Sequence, residues 1–312
     1  MKLLVTGGAG FIGSHLVRKL LADGQKVTLL DNVSTGDWSN LPAGYDRWEM
    51  DIRSEEARER IIAAGFDAMV HLAGQTMVNV SIDDPLFDAT ENVVGTVNLL
   101  EAARKGGIRR IVFASTAAAY GDVPENALPI REERLPAPMS FYGLTKVTVE
   151  RYLKLYQEQF GLDYVVLRFA NVYGERQGDR GEGGVISIFA RKVAGGGTLS
   201  VYGDGHQTRD FIYAGDIAAG ICAALTTPAA NTVYNLSTQT ETSLLDLIQI
   251  FGRITGRKIE TNFCPARAGD ICRSVLCNEK ARQALKWQPV TSLEQGLKNT
   301  LGYIEADQRG LQ

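Results

Sequence analysis

The segment TGGAGFIGSH, residues 6–15, constrains this chain more than any other. It follows the apolar run KLLVT at 2–6 and leads into a helical pattern over 11–22. A strand that turns through glycines into a helix brings backbone N–H groups and the positive end of a helix dipole to one point. Gly7, Gly10 and Gly13 are spaced G-x-x-G-x-x-G. That spacing suits a tight turn, close approach of a pyrophosphate, and close packing of helix on sheet. The expectation is a dinucleotide site at the start of the chain.

The next strand pattern, 26–30, ends at Asp31, eighteen residues past Gly13. An acid there accepts hydrogen bonds from ribose hydroxyls and repels a 2′-phosphate, which favours NAD over NADP. The plainer alternative is that Asp31 caps a turn with Asn32. Further apolar runs at 67–72, 109–113 and 163–168 alternate with helical patterns at 54–63, 86–104 and 141–160. Continuous apolar strands between helices imply a parallel sheet covered on both faces. Right-handed crossovers then make it a doubly wound, Rossmann-type α/β fold.

After about residue 170 this rhythm breaks. Residues 209–225 read as one more strand–helix unit returning to the sheet, and helical patterns recur at 243–254, 278–285 and 292–305. The expected division is an NAD-binding domain over 1–170, with 207–233 returning to it. A smaller α/β lobe of 171–206 and 234–312 would hold the substrate, with the ligand site in the cleft between them.

Composition narrows the partners. A net charge of −3 gives no electrostatic case for nucleic acid or an anionic membrane. No run of eighteen apolar residues offers a spanning helix. The N-terminus becomes glycine-rich at once and leaves no room for a signal peptide. Cys222, Cys264, Cys272 and Cys277 form no C-x-x-C pair, so free thiols in a reducing cytoplasm are expected rather than zinc.

Tyr142 and Lys146 lie four apart in YGLTK, within the helical pattern 141–160, and so share a helix face. A phenol ordinarily ionises near pH 10, and a neighbouring ammonium favours its phenolate. ASTAAAYG, 114–121, follows the strand at 109–113 and offers the hydroxyls of Ser115 and Thr116 at a carboxyl strand end, where open α/β sheets bind ligands. Taken singly, these features also fit a solvated helix face and a Ser/Thr-rich turn.

These motifs, with DN at 31–32, DI at 51–52, HLAG at 71–74, LRFANVYG at 167–174, RDFIY at 209–213 and RAGD at 267–270, carry a resemblance over nearly the whole chain. The chain resembles the extended short-chain dehydrogenases, and within them the UDP-galactose 4-epimerase-like sugar-nucleotide epimerases. The resemblance implies that Gly7, Gly10, Phe11, Ile12 and Gly13 hold the pyrophosphate of NAD. Asp31 and Asn32 would contact the adenosine ribose, Asp51 and Ile52 the adenine. Ala73, Gly74, Asn92 and Ser115 would line the cofactor channel. Thr116, Tyr142 and Lys146 would be catalytic, Tyr142 and Lys146 also touching the cofactor. Asn171, Val185, Tyr202, Arg209, Arg267 and Asp270 would bind a UDP-sugar, with Thr116 at its reacting oxygen. Planar guanidinium donors suit a diphosphate, although Arg209 and Arg267 would equally make ordinary ion pairs with Asp210 and Asp270.

Related dehydratases, decarboxylases and 3,5-epimerases carry an acid or a thiol just after the threonine. This chain has Ala117 and Ala118. The resemblance therefore implies reversible oxidation at a hydroxyl, as in a 4-epimerase. Two rivals use the same fold: a nucleotide-4-ketosugar reductase, which would release its cofactor each cycle, and a non-catalytic dinucleotide-binding module. At the position that restricts N-acetyl groups in this family stands the small Ser274, and near Thr76 and Asn79 no arginine is evident to pair a uronate. The helices at 86–104 and 141–160 are expected to pair two subunits in a homodimer, with Val149, Leu153 and Tyr156 as candidates for that face.

Overall fold

Each crossover of the first half leaves one sheet and returns to it. β1 (Lys2–Thr6) runs through the glycine turn into α1 (Phe11–Ala22), then β2 (Lys26–Asp31) and the short β3 (Asp46–Glu49). α2 (Glu55–Ala64) leads to β4 (Ala68–His71). A long helical crossover then comes in pieces: α3 (Val78–Asp83), α4 (Pro85–Ala89), a π-helical turn at Thr90–Val94, and α5 (Gly95–Lys105). β5 (Arg110–Thr116), α6 (Phe141–Phe160) and β6 (Asp163–Phe169) follow. The computed structural model describes residues 1–178, 184–266, 271–308 and 310.

The second half is more broken. It comprises β7 (Asn171–Tyr173), α7 (Val185–Ala194), β8 (Leu199–Tyr202), β9 (Thr208–Arg209), β10 (Phe211–Tyr213) and α8 (Ala214–Thr226). β11 (Thr232–Leu236), β12 (Thr242–Ser243), α9 (Leu244–Thr255), β13 (Thr261–Cys264), β14 (Arg273–Ser274), α10 (Glu279–Ala284) and α11 (Leu293–Gln308) complete it.

Seven strands form one parallel sheet in the order β11-β6-β5-β4-β1-β2-β3. The doubly wound Rossmann architecture expected from the alternation is therefore present. Consecutive residues of β1 go to opposite faces. Leu3 and Val5 join the core that includes α1 and α8, while Leu4 joins the one that includes α2, α5 and α6. A third core, with Ile186, Phe189, Leu199, Leu247, Phe251 and Leu301, belongs to the second half.

Local chemistry sets the helix ends. Ser140 caps α6 by accepting from the Gly143 N–H at 3.1 Å, and Gly161 ends it with φ 71°. Ser54 and Gly65 do the same for α2. α9 opens with a reciprocal capping box of Ser243 and Asp246.

Three details differ from the sequence reading. The strand at 209–213 does not rejoin the large sheet: β10 pairs with β7, β9 with β12 and β14. The strand that returns is β11, beside β6. The 209–225 unit still reaches the main core, through Ile212 of β10 and Ile217, Ile221 and Ala224 of α8. β3 was not anticipated, because an edge strand with one buried residue, Trp48, has no apolar run. Val149 and Leu153 are not a free face of α6. They are buried in the chain's own core, and the Tyr156 hydroxyl donates to Glu101 at 2.9 Å. The exposed apolar stripe of that helix is Phe141, Leu144, Tyr152 and Leu155.

Candidate active site

β1 lies where strand order reverses, with β2 on one side and β4 on the other. A cavity of about 800 Å³ opens at the carboxyl ends of these strands, where a doubly wound sheet leaves a crevice. Gly7, Gly10, Phe11, Ile12 and Gly13 line it. Gly7 has φ +71°, and a Cβ there would lie 2.6 Å from the Ala73 amide nitrogen. A side chain at Gly13 would overlap the Gly7 carbonyl oxygen. α1 starts at Gly10 with no side-chain cap, so its first N–H groups are left for an anion.

Asp31, Asn32 and Ile52 line the same cavity. The Asp31 carboxylate accepts from the Ala9 N–H at 2.9 Å and the Val33 N–H at 2.8 Å. It therefore ties the end of β2 to the glycine turn, and burial raises its pKa. Asp51 stands behind this wall rather than in it. Arg53 grips it through Nε at 2.8 Å and Nη2 at 2.5 Å, and this bond above all pulls its pKa down to about 2. Asn32 also donates to Asp51, at 3.3 Å.

Thr116, Tyr142 and Lys146 meet in the cavity. Lys146 Nζ sits 5.8 Å from the centre of the Tyr142 ring and 5.0 Å from that of Phe113, and donates to the Ala114 carbonyl at 3.2 Å. Burial lowers its pKa to about 8, against a smaller upward pull from Asp88. Thr116 Oγ1 accepts from the Ala118 N–H at 3.2 Å, which starts a 3₁₀ turn and leaves the hydroxyl proton to donate elsewhere. Ser115 touches the cavity wall, but its hydroxyl donates at 2.6 Å to Glu150, itself paired with Arg168 at 2.5 Å. Its side chain thus braces β5 against α6.

Ala73 and Gly74 line the channel. Behind them, Thr6 Oγ1 lies 2.7 Å from His71 Nδ1, and His71 Nε2 2.9 Å from Thr96 Oγ1. Thr96 spends its own proton on the Asn92 carbonyl, so His71 carries its hydrogen on Nε2 and accepts at Nδ1. Burial first, and Lys146 second, push its pKa down to about 3. Asn92 is buried below the lining, and its Oδ1 has no hydrogen-bond partner among the described residues. A Cβ on Gly74 would lie 2.6 Å from that oxygen.

On the substrate side, Asn171 and Val185 line the cavity, as do Thr76 and Asn79. Tyr202 ends β8 and is 37% exposed, outside the cavity lining. Arg209 also lies outside the lining and donates to the carbonyls of Thr208 and Ile271 at 2.8 and 2.6 Å. Asp210 does something else: it accepts from Thr238, Gln239 and Leu276, and burial raises its pKa to about 6. Ser274 pairs with Arg209 across two short strands and does not line the cavity. Arg267 and Asp270 lie outside the described residues.

Sequence reasoning overlooked Gln75, Asp88 and Thr145. Asp88 is fully buried and accepts from Gln75 at 2.6 Å, Asn92 at 3.0 Å and Thr145 at 2.9 Å. One signal was available: Asp88 precedes Asn92 by one helical turn, on the face that carries a site residue.

Residues 3–237 match the family model described as the NAD dependent epimerase/dehydratase family. This chain belongs to that family. UDP-glucose 4-epimerase of Mycolicibacterium smegmatis is 40% identical over 310 residues, covering 97% of this chain and 98% of that protein. UDP-glucose 4-epimerase of Thermotoga maritima, solved with UDP-glucose, superposes with a TM-score of 0.94 at 39% identity, over the full length of both chains. UDP-glucose 4-epimerase of Thermus thermophilus, solved with NAD, gives 0.90 at 39% identity, covering 97% of this chain and 99% of that one. NAD is the cofactor of an epimerase of this family, and the site fits it. The crowded glycine turn, the uncapped start of α1 and Asp31 are spaced along one cavity wall, with the unsatisfied Asn92 oxygen just beneath Gly74 of that wall.

Proposed function

We propose that this chain is a UDP-sugar 4-epimerase, interconverting UDP-glucose and UDP-galactose. The observation that carries the reading is that Tyr142, Lys146 and Thr116 open into the same cavity as the glycine turn. In this reading Tyr142, as phenolate, takes the proton of the sugar 4-hydroxyl. Lys146, held by the Ala114 carbonyl beneath the ring, stabilises that phenolate. Thr116 hydrogen-bonds the C4 oxygen. Gly7, Gly10 and Gly13 with the start of α1 would hold the pyrophosphate of NAD, and Asp31 with Asn32 the ribose. When bound, NAD supplies a reversible electron-pair acceptor that oxidises the C4 carbinol and reduces it again. The same Tyr142 then returns the proton, so no acid or thiol is required at Ala117 or Ala118.

Asn171 and Val185 would meet the UDP-sugar inside the cavity. Arg209, Tyr202, Arg267 and Asp270 are assigned to its nucleotide end from the family pattern, and the lobe of 171–206 and 234–312 to the substrate. The N-acetylated hexosamines are carried as further substrates on the family pattern at Ser274, which itself lies outside the cavity lining. We also propose a homodimer, formed by the exposed stripe Phe141, Leu144, Tyr152 and Leu155 of α6 with Val94 beside it. Four free thiols suit a reducing compartment, and we place the enzyme in the cytoplasm.

The test is a panel of UDP- and dTDP-sugars, with the C4 configuration of each product read by NMR. Inversion at C4 of UDP-glucose or UDP-galactose, with no net change in cofactor oxidation state, is the expected result. A stoichiometric consumption of reduced cofactor would replace this reading with a reductase.

A further inference from the structure

The buried side chains behind the cavity hold a charge that the reaction scheme does not yet use. Asp88 lies on α4 with none of its surface exposed. It accepts from the side chains of Gln75, Asn92 and Thr145. These donors come from three places: the loop after β4, the π-helical turn, and α6 one residue before Lys146. Two amide N–H groups converge on Oδ1 and a hydroxyl meets Oδ2, a set that suits an ionised carboxylate, which only accepts.

None of the three donors carries a charge. Among the described residues no lysine or arginine makes a salt bridge to Asp88. A carboxylate buried among neutral groups is costly unless a cation is near. The residue after its partner Thr145 on α6 is the cation Lys146, which is itself 4% exposed and bonded to the neutral Ala114 carbonyl. The other groups facing Lys146 are neutral His71 from β4, the Phe113 ring from β5, and Tyr142 from its own helix. Glu91, one turn along, is spent on Arg53 at 2.5 Å.

We propose that Asp88 is a positioning residue whose buried carboxylate is the counter-charge that keeps Lys146 an ammonium under Tyr142. This rests on the reading of Tyr142 as the base. Lys146 already has its pKa lowered to about 8 by burial, with Asp88 opposing the fall. Without that charge Lys146 sheds its proton at lower pH. The phenolate then loses its partner and forms only at higher pH.

The experiment titrates NAD-loaded wild type, Asp88→Asn, Asp88→Ser and Thr145→Val. It reads the phenolate difference absorbance that disappears in Tyr142→Phe, alongside the pH profile of kcat. Loss of the charge in either Asp88 variant moves the phenolate midpoint and the rising limb of kcat upward by about one unit or more. Thr145→Val keeps the charge, loses the hydroxyl's hydrogen bonds to Asp88 and Asn92, and leaves the midpoint in place. Asp88→Ser serves if Asp88→Asn does not fold. An unmoved midpoint in a folded Asp88 variant overturns the proposal and leaves Tyr142 as the base. A wild type without any Tyr142-dependent phenolate overturns both.

Discussion

In the proposed reaction Tyr142 is the base, and its surroundings suit a tyrosine to that role. A phenol needs an adjacent positive charge to lose its proton near neutrality. Lys146 supplies that charge one helical turn away, held by a strand carbonyl at 3.2 Å. Tyr142→Phe removes the proton acceptor and little else. We expect kcat to fall by roughly 10²–10⁴-fold while bound NAD and thermal unfolding stay as in wild type. Steady-state rates and the NAD content of the purified variant check this. Tyr142, Lys146 and Thr116 were readable in the sequence, because helical spacing and a strand end determine where they point. Asp51, Tyr202 and Arg209 were not. Their neighbours in space, Arg53, Gln207 and Ile271, decide what they touch.

At the scale of elements, α6 does two things at once. Its first turns carry Tyr142 and Lys146, and one turn later Glu150 clamps the helix to β5 and β6. Glu150 accepts from Ser115 at 2.6 Å and from Arg168 at 2.9 and 2.5 Å, with the two charged side chains 8% and 3% exposed. Arg168 also lies 4.5 Å over the Tyr120 ring, whose hydroxyl donates to Asn235 on β11. Removing one partner of such a pair leaves a buried charge uncompensated. Glu150→Gln should therefore cost about 3–5 kcal/mol of unfolding free energy, read from urea denaturation. Glu150→Gln with Arg168→Met should recover much of that loss, because no lone charge remains. Helix starts such as Ser140 and stops such as Gly161 were legible, since capping is local. β3 and the pairing of β10 with β7 were not, since edge strands and short pairs carry no apolar periodicity.

For the whole molecule, two buried histidines couple stability to acid. Unfolded, both take a proton near pH 6.5; folded, His15 waits until about 4 and His71 until about 3. Between those limits the unfolded chain binds more protons at these two sites, so their contribution to stability falls as pH drops below 6.5 and is spent near 3. Replacing His71 by Asn should flatten part of that slope, read as unfolding free energy against pH. Assembly belongs to this scale too. Leu144 and Leu155 are 50% and 53% exposed on one stripe of a helix whose other face is core. Leu155→Arg should convert the proposed dimer to monomer in analytical ultracentrifugation, and a monomeric wild type would refute that face.

From its residues alone this chain specified a parallel doubly wound sheet, a dinucleotide turn at its start, and a Tyr–Lys pair on one helix face. All three follow from short-range geometry: strand alternation, helical spacing and the room that glycine leaves. The tertiary structure alone decided which strand closes the sheet. It likewise decided which arginine meets a carbonyl rather than an open cavity, and that Asp88 lies buried against Thr145, the neighbour of Lys146. Those outcomes depend on which distant segments meet, and burial turns the meeting of charges into a strong interaction only once the chain has closed around them.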